Sequence, residues 1–359
     1  PNLYVESDTN TEVTTHELRI NTDLSDTMSL TAGAFISDLE LLEHNMFTYP
    51  GALVSDIGWG INYALTDISV TGIPTHGKSK MYAGAGWNSG RGPYMPPVMF
   101  INDIKRTDKQ KGVFGEVNIA MSDTVELTVG ARWYDIEVDL EGSANASFST
   151  GFGGGDQQRF GTNLSGAFNA TGEITGNPTL DALDYPDKQI TDGVIGKATL
   201  AWNKSEDVMY YVTWSEGFRP GLLNRPAGQS TPDGSYTVRP VTDSDEITNY
   251  EFGWKTVLRD GQLRFNGAAF FVDISGLQTS IFDPSIANLF FSDNAADSEI
   301  TGVEGDFTYY TNTDGLVVSG AFSMLDSEIK KSLTTDDVVA GMPLAFAPEM
   351  QGNIAVRKE

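Results

Sequence analysis

Few residues in this chain have the types and spacing that chemistry at a site requires. The 359 residues include three histidines, His16, His44 and His76, and no cysteine, so thiolate ligands and thiol nucleophiles are absent. The histidines lack the HExxH spacing of a zinc site, and no GxSxG turn marks a serine nucleophile. Carboxylate clusters fall in loop-like stretches, where a solvated or calcium-bridged surface is expected: Asp336 with Asp337, and Asp243 with Asp245 and Glu246. The sequence therefore predicts neither an enzyme nor a resident cofactor or metal.

The residues best suited to bind a ligand lie in one long stretch rich in glycine and proline. This stretch contains Trp59, Trp87, Arg91 and Tyr94. Aromatic rings and an arginine in an exposed loop suit an aromatic, anionic or glycan-like ligand, because they offer stacking and charge-assisted hydrogen bonds. The alternative is that these side chains pack the loop against itself or a neighbouring loop. The sequence supports both interpretations equally.

Apart from these loop residues, a set of charged residues occupies alternate positions of strand-like segments. In Val208–Arg219 the even positions are mostly apolar or aromatic and the odd positions are mostly polar. Alternation at period two predicts a strand with one apolar and one polar face. Five charged residues of the C-terminal part fall on the polar face: Arg219, Glu251, Lys255, Arg264 and Glu304.

The same alternation recurs along the chain and predicts an all-β protein. Eleven segments carry it, at 13–24, 27–39, 111–121, 124–138, 191–203, 207–218, 246–258, 262–279, 299–311, 315–328 and 349–358. Short turns rich in Asp, Asn, Ser and Gly join the segments in pairs. Long connections separate the pairs, at about 40–110, 139–190, 219–245, 280–298 and 329–348. Such lengths are unusual in a compact soluble domain and typical of the external loops of outer-membrane barrels.

Composition narrows the class of protein further. The net charge is −26 and the pI about 4.3, which argues against nucleic-acid binding because no basic surface offsets the acidic field. No run of about 18 apolar residues is present, so a transmembrane helix is not expected. A β-barrel stays compatible with the mean hydropathy of −0.23, because only every second residue of its strands faces lipid. Pro1-Asn2-Leu3 lacks the start of a signal peptide, so a mature or partial chain is expected.

Several of these segments together carry a resemblance to a known family. The motifs in question are YYVTWSEGFRPG, NYEFGWKT, FNGAAFFVDISGLQ, TGVEGDF and APEMQGNIAV. In this order and spacing they resemble the C-terminal half of a TonB-dependent outer-membrane receptor. ELRINTDLSDTMSLTAGAF resembles an earlier hairpin of the same barrels, so the likeness spans nearly the whole chain. The resemblance implies that residues 1–359 are part of one antiparallel transmembrane β-barrel domain, with about eleven strands of a twenty-two-stranded barrel.

The resemblance also implies a location, partners and a function. Such receptors lie in the outer membrane of Gram-negative bacteria, among lipid and lipopolysaccharide, and bind a scarce nutrient, most often a ferric siderophore. Import is driven through TonB and a plug domain inside the barrel. Neither a plug nor a TonB box is recognisable in this chain, which therefore resembles an internal piece of the barrel. The five polar-face charges would then position the plug, or pair with one another across adjacent strands, while the aromatic loop would anchor a ferric chelate.

Two other functions remain open from the sequence. A passive diffusion porin of about sixteen strands would fit a complete chain of 359 residues. A secreted all-β adhesin would keep the long loops but would bury the apolar faces of its strands. The alternation separates two faces without revealing which one meets lipid.

Overall fold

A computed structural model of the chain describes residues 3–48, 50, 89, 91, 98–146, 162–163, 188–224, 239, 241–281, 291–334 and 338–358. These residues form one antiparallel sheet, in which eleven strands follow one another in chain order and a two-residue strand pairs beside them. The all-β antiparallel architecture predicted from the alternation is confirmed. No helix among the described residues has the length and apolarity needed to cross a membrane.

The strands are much longer than the mean strand of a soluble domain, which has about five or six residues. Their bounds are β1 (Tyr4–Ser25), β2 (Met28–Thr48), β3 (Val98–Ala120), β4 (Val125–Ala146), β5 (Thr162–Asn163), β6 (Lys188–Ser205), β7 (Val208–Arg219), β8 (Asp245–Leu258), β9 (Leu263–Ile281), β10 (Phe291–Tyr310), β11 (Leu316–Ser332) and β12 (Met350–Lys358). The short β5 pairs with β4 and leaves the main path of the sheet.

Tight turns close one end of the sheet, where the sequence predicts them. Between β8 and β9, Arg259, Asp260 and Gly261 all have positive φ angles of 54°, 55° and 89°. Aspartate and glycine tolerate this left-handed region better than most residues, so an Asp-Gly pair suits the turn. Between β3 and β4, the hydroxyl of Ser122 accepts hydrogen bonds from the backbone N–H groups of Thr124 and Val125, at 3.3 and 3.1 Å.

At the other end, the strands extend beyond their predicted ends. β2 runs to Thr48 and β3 begins at Val98, so the first long connection is 49–97 rather than about 40–110. The second is 147–187, and the others are 220–244, 282–290 and 333–349. The prediction was wrong at the long-loop ends of β1 to β4 and at the start of β10, because pairing continues where the apolar alternation stops. Cross-strand ion pairs such as Lys105–Glu141, at 2.5 Å, occupy the convex face at this end.

The sheet is strongly curved. A cavity of about 270 Å³ is lined both by Leu41 of β2 and by Ser280 of β9. These strands are six neighbours apart, and neighbouring strands are ~4.8 Å apart, so in a flat sheet they would be separated by ~29 Å. The sheet therefore bends around this cavity as part of a barrel wall, and Leu41 lies on its concave face.

Strand register extends the concave face along the sheet. Leu41 pairs with Arg106, and Arg106 pairs with Leu140 of β4. Every second residue of β4 shares that face, down to Glu126 near the turns. From there the face continues through successive cross-strand partners in β6 to β11: Ala201, Tyr211, Gly253, Ala268, Glu304 and Ser323.

The convex face carries an exposed apolar belt next to the tight turns. Five alternating convex positions of β4, from Val125 to Trp133, are apolar before Asp135 follows. In β6 the corresponding positions from Trp202 back to Val194 precede Asp192. Nine strand residues rise ~30 Å and span ~20–25 Å when tilted, which is the height of the lipid-facing band of a membrane barrel. The belt therefore matches a bilayer and is too extensive for a monomeric soluble protein.

Candidate functional site

The structure describes one of the four loop residues predicted to bind a ligand. Trp59, Trp87 and Tyr94 lie outside the described residues. Nη2 of Arg91 donates a hydrogen bond of 2.6 Å to Oδ2 of Asp8. Both side chains are exposed, so the ion pair is screened by water and contributes little to stability.

Arg91 lies beside a cavity on the outer side of the barrel wall. The cavity, of about 450 Å³, is also lined by Asp8, His44, Ser89 and Asp103. Asp8 pairs with His44 and His44 with Asp103, and these three positions belong to the convex alternation. The amide and hydroxyl of Ser89 donate hydrogen bonds of 3.2 and 2.9 Å to the buried carboxylate of Asp103. This part of the first long connection is therefore fastened to the convex face.

Asp8 lies above the part of β1 that crosses the membrane. A crossing strand needs about nine to eleven residues, which are used up well before Asp8 when counted from the turn at Ser25. The hydrogen bond from Arg91 and the charge of Arg91 hold the pKa of the Asp8 carboxyl below its ordinary value. The carboxylate is therefore ionised at neutral pH, and the pair persists there.

The five predicted polar-face charges all occupy the concave alternation, but they do not form one cluster. A concave cavity of about 540 Å³ brings together Glu251, Lys255 and Glu304. The hydroxyl of Tyr211 donates a hydrogen bond of 2.6 Å to Oε1 of Glu251. Arg264 occupies the next concave position of β9 beyond Asn266, the cross-strand partner of Lys255. Arg219 lies at the opposite end of its strand, far from this cavity.

Arg219 has an ionic partner among the described residues, whereas three of the other four charges have none. Arg219 pairs with Asp245, directly across from it in β8, and its Nε donates a hydrogen bond of 2.7 Å to that carboxylate. Within the described part of the chain, Lys255, Arg264 and Glu304 have no oppositely charged side chain within the 4.0 Å of an ion pair. These three charges therefore face the concave side without an ionic partner from the described wall.

A hydrogen-bonded segment that the sequence did not predict lies at the long-loop end. The first and last residues of the connection between β7 and β8, 220–224 and 241–244, pair with each other, and we call them the neck. Leu223 forms a β-bridge with Val241. The N–H of Thr242 donates to the carbonyl of Leu222 at 2.9 Å, and the N–H of Leu222 donates to the Thr242 hydroxyl at 2.9 Å.

Three buried amide side chains fasten the neck to β9 and β10. Nε2 of Gln278 donates to the carbonyls of Pro220 and Asp243 at 2.9 and 2.8 Å. The side chain of Asn294 both donates to and accepts from the backbone of Asp243, at 2.9 and 2.8 Å. Asn224, within the neck, makes the same double contact with the backbone of Ser292, at 2.6 and 2.8 Å.

The neck also contacts the opposite part of the wall. The amide of Gly221 donates a hydrogen bond of 3.0 Å to the Thr191 hydroxyl of β6. Leu223 packs on Ile104 of β3 and Leu140 of β4. The neck therefore crosses the concave side from β10 to β3 and bounds the cavity of about 270 Å³, which we call the mouth cavity. The expectation of an exposed loop was wrong for Asp245, which begins β8 and is fully buried. Gln278 and Asn294 resemble ordinary strand-end polar residues, so no local signal in the sequence indicated this network.

Metal binding by the wall itself has no support in the described residues. Among them, no group of three or more His, Asp or Glu side chains is arranged to hold a metal ion.

Comparisons with known proteins address the family. The family described as TonB dependent receptor-like, beta-barrel matches residues 2–358. Among solved structures, the ferric yersiniabactin uptake receptor FyuA from Yersinia pestis superposes with a TM-score of 0.60 at 12% identity, over 99% of this chain and 40% of that chain. The copper transporter OprC gives 0.56 at 12% identity, over 99% and 42%. The ferric preacinetobactin receptor BauA from Acinetobacter baumannii gives 0.55 at 14% identity, over 99% and 41%.

This chain thus spans about two fifths of the length of these solved receptors. A search of curated proteins found no match. At these identities the structural likeness establishes the fold, and the family match over nearly the whole chain establishes the family. Its members are transporters of the Gram-negative outer membrane rather than enzymes. As the five motifs predicted, the chain belongs to the TonB-dependent receptor β-barrel family.

Proposed function

We propose that the chain forms part of the barrel wall of a receptor that imports a ferric siderophore, or another scarce nutrient, across the outer membrane. The family match over residues 2–358 carries this proposal. The names of the solved neighbours include two ferric siderophore receptors and a copper transporter. A metal is common to the three names, and a ferric chelate is the first candidate substrate for this chain.

The concave charges support a polar occupant of the barrel. Lys255, Arg264 and Glu304 lack an ionic partner among the described residues, and a folded domain inside the lumen would bring partners to them. We assign that role to a plug domain, coupled to TonB in the inner membrane, which these charges and Glu251 position by hydrogen bonds and ion pairs. Arg219 is already satisfied by Asp245, so its contribution is to hold the neck.

The alternative functions lose support from the family. A passive porin and a secreted adhesin both fit the alternation of faces, but the family that matches residues 2–358 is that of TonB-dependent receptors. The convex belt would accordingly face outer-membrane lipid, with lipopolysaccharide around the charged positions above it.

Growth under iron limitation tests the proposal. A strain that lacks the full-length gene and a complemented strain are supplied with a panel of ferric chelates, each as the sole iron source. We expect the complemented strain alone to grow on at least one chelate at low concentration. Equal growth of both strains on every chelate, with the receptor present at the surface, would contradict iron import.

The same assay tests the predicted loop contacts. Truncation of a ligand-binding hot spot weakens a complex by about 2 kcal/mol or more, or about thirtyfold, so Trp87→Ala and Arg91→Ala should raise the chelate concentration needed for growth by that factor. Asp8→Ala is the matched control, because it removes the ion pair of Arg91 and leaves the guanidinium. If Asp8→Ala has the same effect as Arg91→Ala, the arginine only fastens the loop.

A further inference from the structure

The mouth cavity lies on the concave face at the long-loop end, and seven of its twelve lining residues are apolar. The apolar ones include Leu41, Ile104, Val138, Leu140, Leu223 and Phe291. The carboxylate of Glu43 is also in the lining, and it accepts hydrogen bonds from the side-chain amides of Asn45 and Asn102. Arg106 also lines it, but the Nε and Nη2 atoms of Arg106 both donate to the Asp108 carboxylate at 2.7 Å. The guanidinium is thus already paired, and the cavity offers more to an apolar group than to an anion.

The neck closes the inner side of this cavity as a fixed element. Its backbone and side chains are buried at Thr242 and Asn224, and so are the amides of Gln278 and Asn294 that hold it. Buried, fully paired hydrogen bonds must break together before such a segment opens, and segments of this type have opening free energies like those of strands. The neck therefore differs from an exposed loop that closes over a ligand after binding.

The volume of the mouth cavity limits what it can hold. Sites for drug-sized ligands usually measure about 300–1,000 Å³, and the mouth cavity measures about 270 Å³. A whole chelate with its metal does not fit such a space, whereas a single aromatic or short aliphatic arm does.

We propose that the neck is a permanently closed wall, and that the mouth cavity behind it holds one apolar arm of the imported chelate. The proposal rests on the proposed function in that it assumes import of a chelate. It narrows the substrate class to chelates with an apolar arm, and it assigns the arm to the pocket formed by β2–β4, the neck and β10.

Two glycines provide a matched pair of variants. A Cβ added at Gly221 would overlap with the carbonyl oxygen of Thr242 and the side chain of Gln189, so Gly221→Ala must push the two halves of the neck apart. A Cβ added at Gly217, four residues earlier, meets nothing within 4 Å. Gly217→Ala therefore controls for the loss of a glycine near the end of β7.

Hydrogen exchange of the full-length receptor in detergent tests whether the neck stays closed. We expect the amides of Gly221, Leu222, Thr242 and Asp243 to exchange at least a hundredfold more slowly than unprotected amides, with and without a ferric chelate that supports growth. Gly221→Ala should abolish this protection while the strands stay protected, and Gly217→Ala should retain it. Rapid exchange in the wild type, or loss of protection on adding the chelate, would make the neck a mobile gate and overturn the proposal.

Uptake kinetics test whether the mouth cavity binds an apolar arm of the chelate. For ferric chelates with an aromatic or aliphatic arm, Gly221→Ala should raise the half-saturation concentration at least tenfold and leave the maximal rate unchanged, because the pocket is lost but the pathway is not. Ferric citrate has no apolar arm. If it is transported, its half-saturation concentration should be the same in Gly221→Ala as in the wild type. Equal shifts for both kinds of chelate would overturn the proposal. A wild type that imports no chelate would refute the proposed function instead, while hydrogen exchange would still decide whether the neck is closed.

Discussion

Neighbouring side chains in one strand meet opposite environments in this protein. Val212 lies on the convex face in the middle of the apolar belt and is 55% exposed. Thr213 lies on the concave face, where its hydroxyl is 2.9 Å from that of Thr199. A one-residue step along β7 therefore exchanges lipid for the lumen.

The first prediction compares arginine substitutions on the two faces. An arginine on the lipid side at mid-membrane costs about 2–4 kcal/mol, so Val212→Arg and Phe252→Arg should prevent or strongly reduce assembly into the membrane. Thr213→Arg places the same charge in the lumen and should assemble almost normally. The folded fraction can be measured by the heat-dependent shift of the barrel in gel electrophoresis. Equal tolerance on the two faces would contradict the assignment of lipid and lumen.

Two aspartates near the neck provide a second prediction at the scale of single residues. Asp245 is fully buried and accepts hydrogen bonds from Arg219 and from the backbone of Gln278. Its removal leaves the buried backbone N–H of Gln278 without a partner, so Asp245→Ala should destabilise the barrel by about 1–3 kcal/mol. Among the described residues, the carboxylate of Asp243 forms an ion pair only with Arg239, and that pair is exposed. Asp243→Ala should therefore cost less than about 1 kcal/mol. Unfolding by guanidinium in detergent measures both, and similar costs would show that burial at Asp245 adds nothing.

At the scale of strands, glycines and aromatic rings fit together across the sheet. The ring of Tyr211 lies over Gly253 of the next strand, and the ring of Phe114 lies over Gly33. A glycine leaves room for a ring to lie flat against the wall, which covers the backbone and fixes the register. The abundance of glycine in the strands is explained at these positions by close approach of a ring.

The third prediction concerns one such pair. A Cβ at Gly253 would overlap with the Tyr211 ring, so Gly253→Ala should displace the ring and weaken its 2.6 Å hydrogen bond to Glu251. Overpacking of this kind costs about 1–3 kcal/mol. Gly115→Ala, where a Cβ meets nothing within 4 Å, should leave the melting temperature unchanged or slightly raised. Equal melting temperatures for the two variants would show that the ring moves at no cost.

The sequence was informative about strands wherever one face meets an apolar environment. The alternation in β7 and β8 predicted both strands to within one residue at each end. Beyond the belt the signal disappears, as in Asp38–Thr48 of β2, because apolar and polar residues no longer alternate there: Leu41 is followed by Leu42, and Met46 by Phe47. The sequence could predict which residues share a face, but it could not predict which face is concave, since that depends on the curvature of the whole sheet.

The neck was unpredictable for a different reason. Its bonds join residues far apart in the chain, such as Asn224 to Ser292 and Asp243 to Asn294. Each of these side chains has several ordinary roles in a loop or at a strand end, and only the folded sheet brings them together. The aromatic residues of the first long connection instead predicted a ligand site at Trp59, Trp87 and Tyr94, which lie outside the described residues.

For the molecule as a whole, the two edges of the sheet carry a fourth prediction. β1 and β12 each have a strand neighbour on one side only among the described residues. In a bilayer each unpaired backbone N–H or C=O group costs several kcal/mol, so both edges must be paired in the assembled receptor. Amides on both sides of β1 and β12 should therefore exchange slowly in the full-length protein. Rapid exchange of every second amide in either strand would contradict a closed barrel.

The central claim is that this wall has its convex face in lipid and its concave face in the lumen. The absence of cysteine from the 359 residues makes single-cysteine spin labels straightforward to place along β8, at Tyr250, Glu251, Phe252, Trp254 and Lys255. In reconstituted receptor, labels at Tyr250, Phe252 and Trp254 should be accessible to oxygen dissolved in the bilayer. Labels at Glu251 and Lys255 should be shielded from it. Greater oxygen accessibility at Glu251 and Lys255 than at the other three positions, or the same accessibility at all five, would contradict the account.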